Sequence, residues 1–592
     1  MAGLLGVALC LWSYGPVILD GSAIDWLMSG DRAQSFLGWH FYRHAPETVP
    51  LGRIPGLLSP VGSSLAFSDA IPWFSVLLKP LSPRLPAVFQ ISGLWLVLSY
   101  GLLGAFGCLV LHELRAPRFV AISGSLLVVA SPALTHRGAH FALCGQWLLV
   151  AAFLLALRSR GDRTIGRFAR GWSTLLFFAC GTHPYLATMV LGIGLASCAS
   201  GTPLARLRLS GSDTSASEHA WPALLLARAG ILLTVASASL LAFGYLTGPP
   251  AAASGPGTYS ANLLALVDPA GASRVLPSLP RLPGQYEGYA FIGIGPLLLL
   301  AVAVFVRHRR RGNRRERAPS SVPAESFADL RLVGTAIAAM ALFALGPSIR
   351  LGAWEVATAR HAVAWLEPLP SVFRASGRFV WPLHYAIILG TVAWIARLLP
   401  VRASFAAILV AGFVQLADGA HFHAGNDAAA QGERTRWNPL RSPVWRAAGD
   451  GFDEIRLVPP YFHESECATS DHPPYFYVPF AFLAGTQHMR INSGHLSRQP
   501  AAALERACRD TEDEIAIGRV DPRVLYVVTD DAMERFTAAR LGLATCGRLD
   551  AFSVCWDSAR RTRFTSLVPV YLRPWAACVD LRQRWKPRVR RS

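Results

Sequence analysis

Apolar runs close to the length of a bilayer crossing recur from Ala2 to Asp418, separated by polar stretches rich in Gly and Pro. The pattern predicts membrane spans at 2–19, 88–111, 118–134, 141–157, 172–198, 222–245, 290–306, 329–346, 379–397 and 403–418. After Asp418 the pattern shortens to the alternation of strands, in DEIRLVPP (453–460), RVLYVVTDD (523–531) and AFSVCW (551–556), with helices expected over Pro500–Arg519 and Asp531–Leu541. The fold class that follows is a polytopic all-α membrane domain over 1–420, with about ten or eleven transmembrane segments and a long first outer loop at 21–87. A small soluble α/β domain with a basic tail fills 421–592. The first apolar run lacks a basic n-region and an A-x-A-like site, so it is expected to stay as an uncleaved span.

Composition sharpens this. Of 592 residues, 52% are hydrophobic and 16% charged, too apolar a balance for a soluble chain of this length. The net charge of +19 would point to nucleic acid if it were spread over a soluble domain. It is concentrated instead in arginine blocks at 158–170, 307–317 and 582–591. The first two sit at the ends of apolar runs, where the positive-inside bias places them, so no nucleic-acid partner is expected. Five of ten cysteines (Cys10, Cys108, Cys144, Cys180, Cys198) lie in or beside apolar runs and read as small hydrophobes. The other five lie in the C-terminal third without a C-x-x-C pair; there Cys546 with Cys555 and Cys467 with Cys508 are the pairings to expect. INSGH (491–495) reads as a plain loop.

The two arginine blocks test the span count. With a cytoplasmic N-terminus, three further spans bring 158–170 to the cytoplasm. The block at 307–317 joins it only if 172–198 enters and returns. That segment carries G-T-H-P at its midpoint, where Pro184 disfavours helix at His183 and removes a helical donor. Two short helices meeting at an outer turn are therefore expected, with the C-terminal domain extracytoplasmic.

With sides assigned, the conspicuous polar residues share the outer one: Asp31, His40 and Asp69 in the first loop, then His136, Arg137, His140, His183, Glu287, Arg374 and Arg378. Each has a plain structural reading beside the functional one. Asp31 with Gln34 fits a capping box, and Asp69 could cap the helix opened by Pro72. His136 and His140 would share a helical face able to bind a metal, or simply lie at the interface. His183 could hold the broken turn, and Glu287 be an ordinary loop acid. Arg374 and Arg378, spaced i, i+4 on the side where arginine is depleted, suit a lipid phosphate or ordinary headgroup contact. Between Ala33 and Phe41 the apolar residues form one helical stripe, the pattern of a helix lying along a membrane surface.

The first loop with its acid, the outer histidines, the broken helices and the outer C-terminal domain together resemble the GT-C superfamily of membrane glycosyltransferases. More closely, IDWLMSGDRAQSFLGWHFYR, SDAIPWFSVLLKPL, GTHPYL, GQYEGYAFIGIG and FRASGRFVWP resemble an uncharacterised bacterial family, domain of unknown function 6311. The resemblance implies transfer of a sugar from a polyprenyl-phosphate donor to an envelope glycan, lipid or protein acceptor, at the outer face of the bacterial cytoplasmic membrane. It implies Asp31 as general base and Asp69 as second acid. The chain lacks the adjacent acidic pair common in that superfamily, which leaves a divalent metal, Mg or Mn, an open question. The alternative is a non-catalytic or transport protein of envelope polysaccharide assembly, such as a lipid-linked saccharide flippase or a scaffold. A transporter would show an internal repeat, and none is found.

Overall fold

A computed structural model describes all residues except 161–163, 201, 203–220, 247–256, 313–329, 359–372, 433–436, 463–466, 468–474, 531, 534–543 and 570–592. Most of the predicted helix over 531–541, residues 313–317 of the 307–317 arginine block and the basic tail therefore lie outside the described residues. The chain divides into two compact units: Met1–Ile54 with Ser64–Thr435, and Pro55–Ser63 with Arg436–Ser592.

The first unit is helical. Its elements are α1 (Ala2–Tyr14), α2 (Gly30–Tyr42), α3 (Pro72–Leu78), α4 (Ser92–Glu113), α5 (Arg118–Val129), α6 (Trp147–Arg158), α7 (Ile165–Cys180), α8 (Pro184–Ser197), α9 (Trp221–Ala242), α10 (Ile294–Gly312), α11 (Arg331–Ala344), α12 (Trp381–Leu398) and α13 (Val401–Gly432). A two-stranded hairpin, β1 (Ser348–Leu351) and β2 (Trp354–Thr358), stands between α11 and α12. Among the described residues, six helical stretches are long and apolar enough to cross a membrane: Ser92–Glu113, Arg118–Thr135, Phe141–Arg158, Trp221–Ala242, Ser376–Leu398 and Val401–Gly425. Ala2–Tyr14, Pro184–Ser197 and Arg331–Ala344 are apolar but shorter. Small residues let α1 and α4 approach backbone to backbone, as is common between helices in lipid. A Cβ on Gly6 would collide with the Tyr100 carbonyl, and one on Gly104 with that of Ala2.

The expected break in 172–198 is present. α7 ends at Cys180 and α8 begins at Pro184, with His183 extended between them. The two halves fold back on each other, since Gly194 near the end of α8 lies against the Trp172 ring midway along α7. Arg228 of α9 closes the open end of this hairpin. It is fully buried, donates to the Cys198 and Ser200 carbonyls (3.0 Å each), and stacks over Phe168. These carbonyls are the unsatisfied acceptors of a helix C-terminus, and a guanidinium is suited to cover two at once.

One expectation fails clearly. α2 does not lie along a surface with a single apolar face, because every residue from Arg32 to Tyr42 is buried within the protein. Its polar side chains find partners there: Gln34 donates to the Phe67 carbonyl, Ser35 to that of Asp69, and Trp39 to that of Phe89. The capping box is likewise not formed, since Ser29 holds the N-cap position and Gln34 is bonded elsewhere.

The second unit carries a five-stranded sheet of β3 (Glu454–Val458), β4 (Arg490–Ile491), β5 (Val524–Val528), β6 (Ala544–Leu549) and β7 (Phe552–Asp557), in the order β4-β3-β5-β7-β6. β4, β3 and β5 run parallel, and β7 and β6 form an antiparallel hairpin. The segment 55–63 lies on its outer edge: Ile491 donates to the Gly56 carbonyl and Ser59 to that of Ile491, both at 2.8 Å. Ser59 Oγ also reaches buried Glu454. The disulfides Cys467–Cys508 and Cys546–Cys555 are both present, the second across paired strands.

Candidate functional site

The loops predicted to share one side of the helical unit meet at one end of its bundle. Trp73, opening α3, donates its backbone N–H to the Gly181 carbonyl and its ring N–H to Thr182 Oγ1, joining the first loop to the α7–α8 turn. At the opposite end, Arg158 pairs with Glu113 and Arg397 reaches the Leu114 carbonyl.

Two groups of polar side chains occupy this loop end. In the first, Asp31 Oδ2 lies 3.4 Å from His140 Nε2, both side chains about a third exposed (32% and 28%). Asp31 sits in the first turn of α2. His140 is held by its neighbour Phe141, whose carbonyl accepts from the Trp95 ring N–H and whose ring packs edge-on against Trp26. Asp69 faces the same turn and accepts from the backbone amides of Phe141 and Ala142. It therefore caps the turn after His140 and not α3, whose N-cap is Ile71. Its other oxygen, Oδ2, is buried and unpartnered. Burial, reinforced by the nearby charge of Asp31, pushes the Asp69 carboxyl up to about 8. Desolvation lowers His140, although Asp31 opposes the effect. Asp69 and Ile71 both adopt positive φ (58° and 48°), a conformation costly for a β-branched residue, of order 1–3 kcal/mol.

The second group is a buried triad. Glu287 accepts from Arg137 Nη1 (2.6 Å), Arg378 Nε (3.0 Å) and Arg378 Nη2 (2.9 Å). Arg137 also donates to the carbonyls of Tyr286 and Glu287 and lies over the Trp381 ring; Arg378 lies over Tyr185. Burial alone would raise Glu287, but the Arg378 and Arg137 guanidiniums hold it well below the usual carboxylate range. Two cations share one anion, so the triad keeps a net positive charge beside His140 and Asp69.

The remaining sequence candidates separate. Arg374 and Arg378 do not share a helical face, because the helical turn begins only at Ser376. Arg378 is committed to Glu287, whereas Arg374 is exposed and stacks on Tyr259. His136 and His140 diverge as well: His136 packs between Tyr289 and Phe422, and desolvation lowers it to about 3. His183 accepts from the Tyr185 amide and caps α8. His40 is buried against Phe36, nine residues beyond Asp31 on α2, or about 14 Å at a helical rise of 1.5 Å per residue. It is remote from the Asp31–His140 pair.

A divalent ion would need three or more converging donors. Among the described residues, Asp31, Asp69 and His140 do not gather around a common point; Cys467, Cys508 and Glu512 do, but both sulfurs there belong to a disulfide. The residues at the loop end do not fit a resident metal. Arg228 and His384 stand outside the sequence candidates; the ring nitrogens of His384, on α12, reach Ser131 Oγ and the Ala290 carbonyl. Their signal was an ionisable residue inside an apolar run.

No curated protein matches the chain. Residues 3–420 match the family model described as "Domain of unknown function (DUF6311)", and residues 444–556 match the "DUF6311 C-terminal domain". The first match covers the helices that carry both polar groups, and the second covers the disulfide-bearing sheet. The chain belongs to the DUF6311 family.

Proposed function

We propose that this chain is an integral-membrane glycosyltransferase of the GT-C kind, working at the outer face of the bacterial cytoplasmic membrane. It transfers a sugar from a polyprenyl-phosphate donor to an envelope glycan, lipid or protein acceptor. The observation that carries this reading is the partly exposed Asp31–His140 pair at the loop end of the bundle. In the proposed step, Asp31 removes the proton from an acceptor hydroxyl as its oxygen attacks the anomeric carbon. The bond from that carbon to the phosphate oxygen breaks, and the lipid phosphate leaves with the electron pair. His140 orients Asp31, and exposed Arg374 offers a guanidinium to the departing phosphate. Arg137, Glu287 and Arg378 brace the loops from which these residues project.

The reading also assigns sides and a span count. The two disulfides favour an oxidising compartment for the C-terminal unit, hence the outside. With the α7–α8 hairpin counted as one entry and return, the N-terminus is cytoplasmic and the chain makes about ten or eleven membrane segments. The test is Asp31→Asn expressed in place of the native gene, with envelope glycans and lipid-linked carriers profiled. Loss of one glycan with accumulation of its lipid-linked donor supports the reading. Unchanged glycans at normal protein level overturn the assignment of Asp31 as base.

A further inference from the structure

The β1–β2 hairpin has two chemically different faces. Its register pairs Leu351 with Trp354 and Arg350 with Glu355, and side chains alternate across a strand. Arg350 and Glu355 therefore share one face, where their charges meet at 2.7 Å. Leu351 and Trp354 share the other, and Trp354 is 77% exposed. Val356, opposite a register shift, is exposed too. The hairpin is not free to swing: Asn262 bonds both the N–H and the carbonyl of Gly352 at its tip, and the Leu263 amide donates to Arg350. An apolar, aromatic face is thus held outward, exposed among the described residues.

Its neighbour in the chain indicates what covers it. The hairpin starts four residues after α11, which leaves Thr335, Ala338, Ala339 and Leu342 exposed along one side. Such a stripe on an apolar helix suits acyl chains, and with α11 embedded in this way the segment just past its Ala344 end would lie toward the headgroup layer. Tryptophan is favoured there because its ring is apolar and its N–H reaches water.

We propose that the hairpin is a lipid-surface anchor. Trp354 and Leu351 enter the headgroup layer of the leaflet at the Ala344 end of α11, and the Arg350–Glu355 face stays in water. The anchor also sets the height of the site loops, because Asn262 bonds Gln285 in the turn that carries Glu287. The inference rests on α11 being membrane-embedded, and not on the transferase reading.

The test uses the full chain with Trp354→Cys, Glu355→Cys or Leu342→Cys, each labelled with an environment-sensitive fluorophore. The labelled proteins are reconstituted into phosphatidylcholine–phosphatidylglycerol vesicles, with quenching by lipids carrying nitroxides near the headgroup or at mid-chain. The expected result is quenching at 342 by mid-chain nitroxides, at 354 by shallow nitroxides, and aqueous iodide quenching at 355. Quenching at 342 without any at 354 places the hairpin in water or against protein and overturns the anchor. No lipid quenching at either position overturns the embedding of α11, and the anchor with it.

Discussion

Asp31 and His140 meet at 3.4 Å although 109 positions separate them, because α2 and the turn before α6 are both fixed to the loop around Asp69. Ser35 of α2 donates to the Asp69 backbone, and the Asp69 side chain accepts from the residues following His140. One loop thus sets the separation of the pair. On the transferase reading, Asp31→Asn and His140→Ala each lower product formation by at least 100-fold. The double variant is no worse than the more damaging single one, because the two act as a unit. Additive losses in a quantitative glycan assay would separate their roles.

Glu287→Gln leaves two buried guanidiniums without their anion. Breaking a buried ion pair from one side costs about 3–5 kcal/mol, so a marked fall in thermal unfolding temperature in detergent is expected. Adding Arg378→Met should recover part of the loss, since one of the stranded charges is removed with it. A Glu287→Gln protein as stable as the wild type would show that the triad is not tightly coupled.

The Asp69 carboxyl gives a pH dependence of defined sign. It titrates near 4 when unfolded and at about 8 when folded. Between those values the folded chain holds the extra proton, so its stability falls as pH rises across that window. Asp69→Asn removes the slope: the variant gains on the wild type at pH 8 to 9 and differs little near pH 4. Unfolding temperatures taken across this range test it, and parallel curves would refute it.

Cysteine accessibility tests the assignment of sides. A cysteine at Gly257 should react with an impermeant maleimide in intact cells, and one at Gly312 only after permeabilisation. The same side for both would discard the reading of α7 and α8 as one entry and return.

The strap on the C-terminal sheet gives a local prediction. Leu57 is buried against the sheet edge, where Ser59 reaches Glu454. Leu57→Asp buries an unpaired charge and should release the strap, seen as protease sensitivity at 55–63 with the helical unit intact. Unchanged cleavage would show that the edge pairing is dispensable.

Much of the architecture was legible because it rests on local physics. Long apolar runs stay helical in a bilayer, where the backbone must satisfy its own hydrogen bonds. The G-T-H-P break followed from the missing N–H of Pro184, and the strands at 454–458, 524–528 and 552–557 from short apolar alternation. α2 misled because a stripe records which residues are apolar and not what surrounds the rest. Arg32, Gln34, Ser35 and His40 are polar, yet all are buried, and Gln34 and Ser35 find their partners on the distant loop at 67–69.

The candidate site divides in the same way. The sequence alone determined the segmentation, the short broken pair, the spacing of polar residues along the loops and the cysteines available for pairing, since these depend on neighbours along the chain. The tertiary structure decided which of those residues meet. It joined Asp31 to His140, moved Arg378 from a phosphate candidate to the partner of Glu287, and left Arg374 exposed. The reason is physical: a buried charge is tolerated only beside its opposite, and which opposite charge lies within reach is fixed by how distant segments pack.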